Sequence, residues 1–271
     1  MNQFLSQQID ASTIRMLIFV GGIIFFLIIE LIVPYRASSV SKAKRWANNL
    51  SLAFFNSLIL HLVFSTTIIT TAHYVTNNKL GVMNLEQMSG LPHWLRILLI
   101  IVVLDFVLYI WHVLNHIIPL FWRFHRVHHS DPNMDVSTAT RFHIGELAIS
   151  AVIKIALIFF IGPAITTVII YECAVVFCAQ FHHSSLKVPK RLEYVLWILF
   201  VPPSMHRIHH SVIRKEMDSN YGTIFSVWDR IVGTLVTRVD QGTIRIGIGA
   251  YQDTTKLNFH NLMVMPFTKA V

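Results

Sequence analysis

Five long apolar runs restrict this chain to a helical fold embedded in a membrane. They cover residues 16–33, 50–72, 95–118, 147–161 and 164–181. A bilayer core is crossed by about 20 apolar residues in a helix. Only helices and closed barrels satisfy every backbone polar group there. Charged residues make up 13% of the 271 residues, against about 25% for a soluble domain. The first run follows a more polar stretch and lacks a small-residue cleavage site before Tyr35-Arg36, so it reads as an anchor and not a removed signal. The second is interrupted by Asn56, His61 and several hydroxyl residues. The last two are hinged at Gly162-Pro163. Fifteen residues in 147–161 reach only about 22 Å, which suggests a thin or re-entrant pair. The expected fold is all-α, with about four transmembrane helices.

Charge placement orients the fold. The net charge is +8. Arg36, Lys42, Lys44 and Arg45 follow the first run, whereas 73–93 holds Lys79 as its one Lys or Arg. Arg123, Arg126 and Arg141 follow the third run, and Lys187, Lys190 and Arg191 the fifth. The positive-inside rule then puts 36–48 and the non-embedded parts beyond 120 on the cytoplasmic side. Attraction to anionic lipids accounts for the basic excess, and no nucleic-acid motif accompanies it. Cys173 and Cys178 lack C-x-x-C spacing and read as small apolar residues without a disulfide framework. Along the chain, 1–99 read as membrane anchor, 100–236 as a catalytic domain and 237–271 as a C-terminal tail. The apolar stretch 194–201 is too short to span; it is expected at the interface or beneath a metal site. The alternation in 243–248 suggests a short strand.

Eight of the fifteen histidines fall in three groups: His112-Val-Leu-Asn-His116, His125-Arg-Val-His128-His129 and His206-Arg-Ile-His209-His210. Spacings of three and four align imidazoles on one helix face, and a neutral imidazole binds transition metals. Adjacent His128 and His129 diverge by about 100° on a helix, so they can serve different ions. This number of imidazoles exceeds what one ion requires and points to a two-metal centre in a cytoplasmic helical cap. His182-His183 lies between the later groups, with His183 expected to face inward as a ninth ligand. His143, in Arg141-Phe-His143-Ile-Gly-Glu146, remains open as a ligand, a supporting donor or a partner of Glu146. His61, His73, His93 and His260 stand alone and read as ordinary residues. Asp105, Tyr109, His112 and His116 share one stripe. A carboxylate in a membrane helix needs a partner; Asp105 either orients an imidazole or Tyr109, or pairs with a basic neighbour.

Taken together, Asp105-x-x-x-Tyr109-x-x-His112-x-x-x-His116, Trp122-Arg-Phe-His125-Arg-Val-His128-His129-Ser130 and Thr138-Ala-x-Arg141-x-His143-x-x-Glu146 form a specific pattern. Phe181-His-His-Ser184, His206-x-x-His209-His210, Asn220-Tyr-Gly222 and Trp228-Asp-Arg-Ile-Val-Gly-Thr234 extend it. This pattern resembles the fatty acid hydroxylase superfamily, which includes sterol desaturases. Val113, Ile144 and Ser185 depart from residues common in that family, without removing a candidate ligand. The resemblance implies O2-dependent oxidation of an unactivated C–H bond in a sterol, fatty acyl or related lipid. It implies two irons held by His112, His116, His125, His128, His129, His183, His206, His209 and His210. Asp105, Tyr109, Glu146, Asn220 and Asp229 become candidates for supporting roles at the catalytic site. Zinc cannot supply the redox step, although it can substitute in purified protein. No fused electron-transfer module is visible, so an external reductase or ferredoxin-like donor is implied. Desaturation at the same site is the alternative outcome. A non-enzymatic metal-binding or transport protein would spread ionisable groups through the midplane; a haem protein would need fewer histidines; a zinc hydrolase would carry H-E-x-x-H.

Overall fold

A computed structural model describes residues 2–269, with side chains from residue 13 onward apart from 64–66, 69, 87 and 89. The architecture is all-α, and no strand forms among the described residues. Helix α1 is Asn2–Ile32 and α2 is Lys42–Leu60, whose first turn is capped by the Ser41 hydroxyl accepting from the Lys44 amide. A π-helical turn, His61–Ser65, leads into α3, Thr66–Asn77. Short α4 (Glu86–Ser89) precedes α5 (His93–Ile117) and α6 (Pro119–His129). Next come α7 (Ile144–Ile161), α8 (Ile165–His183) and α9 (Lys190–Leu199). The short helices α10 (Pro203–His209), α11 (Arg214–Met217), α12 (Val227–Val232) and α13 (Phe259–Val264) complete the chain.

Among the described residues, four segments are long and apolar enough to cross a membrane: Thr13–Ile32, His93–Ile117, Ile144–Ile161 and Ile165–His183. They make this a multi-pass integral membrane protein. The apolar run at 50–72 is not among them, because it is divided between α2, the π turn and α3. One face of α2 instead buries Arg45, Asn49, Leu52 and Asn56.

The short-pair expectation for 147–161 is corrected. Helix α7 begins three residues earlier, where the His143 imidazole accepts from the Gly145 amide as an N-cap. At 18 and 19 residues, α7 and α8 are each about 27–28 Å long, enough for a full crossing. The turn between them uses Gly162 in the left-handed region, at φ 74°. Its carbonyl accepts from Asn84 Nδ2 at 3.0 Å. Gly81 packs so closely that a Cβ there would lie 2.4 Å from the Gly162 nitrogen.

Prolines punctuate the histidine-bearing part. Ile118 is extended and Pro119 opens α6 at its first position, where a missing N–H is harmless and φ is already helical. Pro202 and Pro203 start α10 in the same way. Helix α9 buries none of its residues and exposes Leu192, Tyr194, Val195, Ile198 and Leu199. Exposure continues through Phe200, and Val201 is buried.

The strand expectation at 243–248 fails for a physical reason. Its alternation is real, since Ile244, Ile246 and Ile248 are buried. No second strand runs beside it, and pairing is limited to a single bridge between Ser211 and Ile246. The C-terminal segment packs closely: Leu257, Leu262 and Met265 join Leu52 of α2 and Val127 of α6 in one apolar cluster. The Arg126 guanidinium donates to the carbonyls of Met265, Thr268 and Lys269.

Candidate metal centre

The nine histidines expected as ligands converge in two adjoining groups. One contains His112, His116, His125, His129 and His209; the other contains His128, His183, His206 and His210. Within each group, one ring nitrogen per residue lies within 4.8 Å of all the others. Four elements deliver them: the last two turns of α5, most of α6, the end of α8 and α10. Neighbours His128 and His129 fall in different groups, as their angular separation on α6 requires. Ring centroids of His129 and His210, from opposite groups, are 4.4 Å apart, so the groups share a wall.

Hydrogen bonds fix which nitrogen faces inward. In the first group, Nδ1 of His112 donates to the Tyr221 carbonyl at 2.7 Å, and that of His209 to the Ser219 carbonyl at 2.7 Å. Nδ1 of His116 meets Asp218 at 3.2 Å, and that of His125 meets Glu146 at 3.0 Å. An acceptor at Nδ1 holds the proton there and leaves a lone pair on Nε2. The Nε2 atoms of these four residues, and both ring nitrogens of His129, are buried without a hydrogen-bond partner. Buried polar atoms are nearly always paired, so five such rings aimed at one point form a cation-binding pattern.

In the second group, Nδ1 of His128 faces the Arg141 carbonyl at 3.3 Å and Nδ1 of His183 faces the Ala179 carbonyl at 2.7 Å. Their Nε2 atoms then carry lone pairs, yet lie 3.0 Å apart. His206 Nε2 is 2.9 Å from His183 Nε2 and 3.1 Å from His210 Nε2. Facing lone pairs repel unless a proton or a metal ion lies between them. For His128 and His183, whose Nδ1 protons face carbonyls, a second proton is disfavoured: both rings are buried, and burial, followed by the neighbouring imidazoles, pushes the His128 pKa well below the ordinary value. The His129 pKa is lowered likewise, with burial again the largest cause. An all-imidazole donor set fits a first-row transition metal and not magnesium or calcium. The residues therefore fit two metal ions.

His182 corrects the expectation that only one of the His182-His183 pair turns inward. Both are buried, and the His182 ring lies 4.0 Å from that of His206, although His182 belongs to neither group. His143 is occupied elsewhere: Nδ1 caps α7 and Nε2 faces the Met263 carbonyl at 3.1 Å. Glu146 partners His125, not His143.

The remaining candidates act at a distance. Asp105 touches neither an imidazole nor a base; it accepts from the amides of Ile224 and Phe225 and from the Trp228 indole at 2.8 Å. That clamps the 220–229 loop onto α5. Tyr109 shares a 2.8 Å hydrogen bond with Thr234. Asp229 accepts from the amides of Tyr221 and Gly222 and so holds the carbonyl that faces His112. Asn220, at φ 54°, donates to the carbonyls of Met205 and Val236 and accepts from the Val236 amide, securing the chain beside His206.

Sequence reasoning missed several supports. Asp218 and the carbonyls of Ser219, Tyr221, Ala179 and Arg141 carry no spacing signal. It also missed a buried network that seats the 130–141 loop. Arg45 binds Asp131 in a fork, at 2.5 and 2.8 Å, and Asp135 at 2.7 Å. Asn49 donates to Asp131 and Ser137. Arg141 donates to Asn49, Ser130 and the Val127 carbonyl. Burial alone would raise the Asp131 pKa, but the Arg45 charge and hydrogen bonds outweigh it and hold it down to about 2.

A cavity of about 410 Å³ opens from the histidines between α1, α5, α7 and α8. His112, His125, His128 and His183 border it. So does Asn115, which is buried with neither amide atom hydrogen-bonded. Much of the rest of its wall, including Leu104, Leu108, Leu157 and Val176, is apolar.

The chain is 29% identical over 161 residues to ornithine lipid hydroxylase OlsE of Rhizobium tropici, covering 58% of this chain and 46% of that protein. It is 30% identical over 130 residues to human alkylglycerol monooxygenase, covering 48% of this chain and 28% of that protein. Human cholesterol 25-hydroxylase is 24% identical over 185 residues, covering 67% of this chain and 65% of that protein. The match thus spans less than half of the first two relatives. No solved structure matches at a significant level. The profile described as Fatty acid hydroxylase matches residues 97–234, which is half of the chain and holds all nine grouped histidines; the chain belongs to the fatty acid hydroxylase family.

Proposed function

We propose that this protein is a membrane-embedded oxidoreductase that hydroxylates an unactivated C–H bond of a lipid, using O2 at a histidine-held di-iron centre. The observation that carries the reading is the convergence of nine buried imidazoles in two groups at one end of an apolar cavity. His112, His116, His125, His129 and His209 would hold one iron, and His128, His183, His206 and His210 the other. Bound iron would supply the redox capacity to split O2 and break the C–H bond, which zinc lacks. In balance, one oxygen atom enters the lipid and the other leaves as water, with two electrons and two protons from outside. An external reductase or ferredoxin-like donor would deliver those electrons.

Glu146, Asp218 and the carbonyls of Tyr221 and Ser219 hold the proton on Nδ1 of their imidazoles and keep Nε2 available. Asp105, Asn220 and Asp229 fix the loop that presents those carbonyls, and Tyr109 braces it through Thr234. The apolar walls exclude water and admit an alkyl chain from the bilayer. Residues 100–236 would form the catalytic unit, flanked by anchor 1–99 and tail 237–271. The placement of Lys and Arg supports a cytoplasmic position for the histidines. The likeness to two hydroxylases and a monooxygenase supports hydroxylation over desaturation.

The test is metal analysis of the purified chain, followed by incubation of the iron-loaded protein with lipid extract, reductant and O2. About two irons per chain are expected, with an O2-dependent product heavier by one oxygen atom. A product lighter by two hydrogens would select desaturation. No O2-dependent product across sterols, acyl lipids and ether lipids would refute the reading.

A further inference from the structure

The cavity has a second polar end, remote from the histidines. Glu172 of α8 is buried there, its side chain 7% exposed, between two cations: Arg15 of α1 at 2.9 Å and Lys154 of α7 at 2.5 Å. All three border the cavity, and all three lie within membrane-spanning helices. Arg15 and Lys154 keep 39% and 34% of their side-chain surface exposed, so this end opens outward. Along α8, Glu172 is eleven residues from His183, a separation of about 16 Å. Between the two ends the lining is largely apolar, with Leu104, Leu157 and Val176 among the residues that form it.

Ionisable groups at this depth are costly and mark binding sites or pathways in membrane proteins. A pair of opposite charges would suffice to pin two helices together. Among the described residues, one carboxylate faces two cations, which leaves one positive charge in surplus at the mouth of an apolar cavity. Arg15 engages Glu172 through Nε, and a guanidinium carries five N–H donors in its fork, more than that one contact uses.

We infer that the cavity takes a lipid whose polar end is an oxyanion, held by Arg15 and Lys154, with its alkyl chain extending to the histidines. The substrate class is thus an anionic single-chain amphiphile, carboxylate or phosphate, oxidised at carbons remote from the charge. Glu172 is a positioning residue: it holds the two cations at the mouth and sets their surplus at one. The inference deepens the proposed hydroxylation, yet binding can be read without turnover.

The test measures equilibrium binding of palmitate, hexadecyl phosphate and hexadecanol to the full chain in nanodiscs of phosphatidylcholine. Both anions should bind the wild-type chain about tenfold more tightly than the alcohol, the effect of one charged hydrogen-bonding contact. R15Q and K154Q should each weaken anion binding about tenfold and leave hexadecanol unchanged; E172Q should tighten the anions. Equal binding of anions and alcohol to the wild-type chain would overturn the inference, and needs no variant to fold. Parallel weakening of all three probes in the three variants would also overturn it, reducing the cluster to a clamp between helices. Anion-selective binding without an oxidised product would instead leave this site standing and remove the proposed reaction.

Discussion

Arg45→Met tests how the N-terminal part of the chain supports the histidine region. Arg45 is 5% exposed and is the charged partner of Asp131 and Asp135, which are 0% and 2% exposed. Methionine keeps much of the volume but leaves buried Asp135 without a cation, and Asp131 with only the weaker Arg141 charge and the neutral donors Asn49 and Thr138. Removing one partner of a buried ion pair costs about 3–5 kcal/mol, because the remaining charge is uncompensated. With about 2–4 °C per kcal/mol for a chain of this size, the melting temperature should fall on the order of 10 °C. The assay is thermal unfolding of the detergent-solubilised chain at neutral pH. Asp131→Asn in the Arg45→Met background should recover part of the loss, giving a coupling above about 1 kcal/mol in the double-mutant cycle. An Arg45→Met protein that melts within about 2 °C of wild type would refute the argument. The loop also carries Arg141, whose carbonyl faces His128, so the same variant should bind metal less tightly.

Other predictions follow from individual contacts. Glu146→Leu removes the acceptor at His125 Nδ1 and should weaken metal binding about 10–100-fold in a chelator competition; unchanged affinity would show that Glu146 does not set that ring. His143→Leu should leave metal content unchanged while lowering stability by about 1 kcal/mol through loss of the α7 cap; loss of metal would return His143 to the ligand set. Metal removal should lower the melting temperature and iron or zinc should restore it, each occupied site contributing about 4 kcal/mol of stability at a thousandfold excess over Kd; a melting curve indifferent to metal would contradict the convergence of lone pairs. Gly162→Ala should destabilise by more than about 1 kcal/mol, since its Cβ would lie 2.2 Å from the Leu80 carbonyl oxygen; a neutral result in a melting assay would deny that contact.

The spans and the histidine pairs were readable because both signals are local. Membrane helices announce themselves by composition, and imidazoles three or four residues apart must share a helix face whatever the rest of the chain does. Even the division of His128 and His129 between two sites follows from helical rotation alone. The short reading of α7 failed because Gly145 and Glu146 interrupt the apolar pattern in its first turn and its cap is a histidine. The strand at 243–248 failed because alternation reports which side is buried, not whether a second strand lies alongside.

Pairings across the chain were beyond local reading. Nothing in the vicinity of Asp218 announces that its carboxylate reaches His116, 102 residues away, nor does Arg45 announce Asp131. Asp105 had an inferable need for partners, and only folding chose backbone amides and an indole over an imidazole. Local chemistry set which rings could bind metal; tertiary contacts decided which nitrogen of each ring faces inward. That choice rests on acceptors, many of them backbone carbonyls, which every residue possesses and which gain meaning only from where the fold places them.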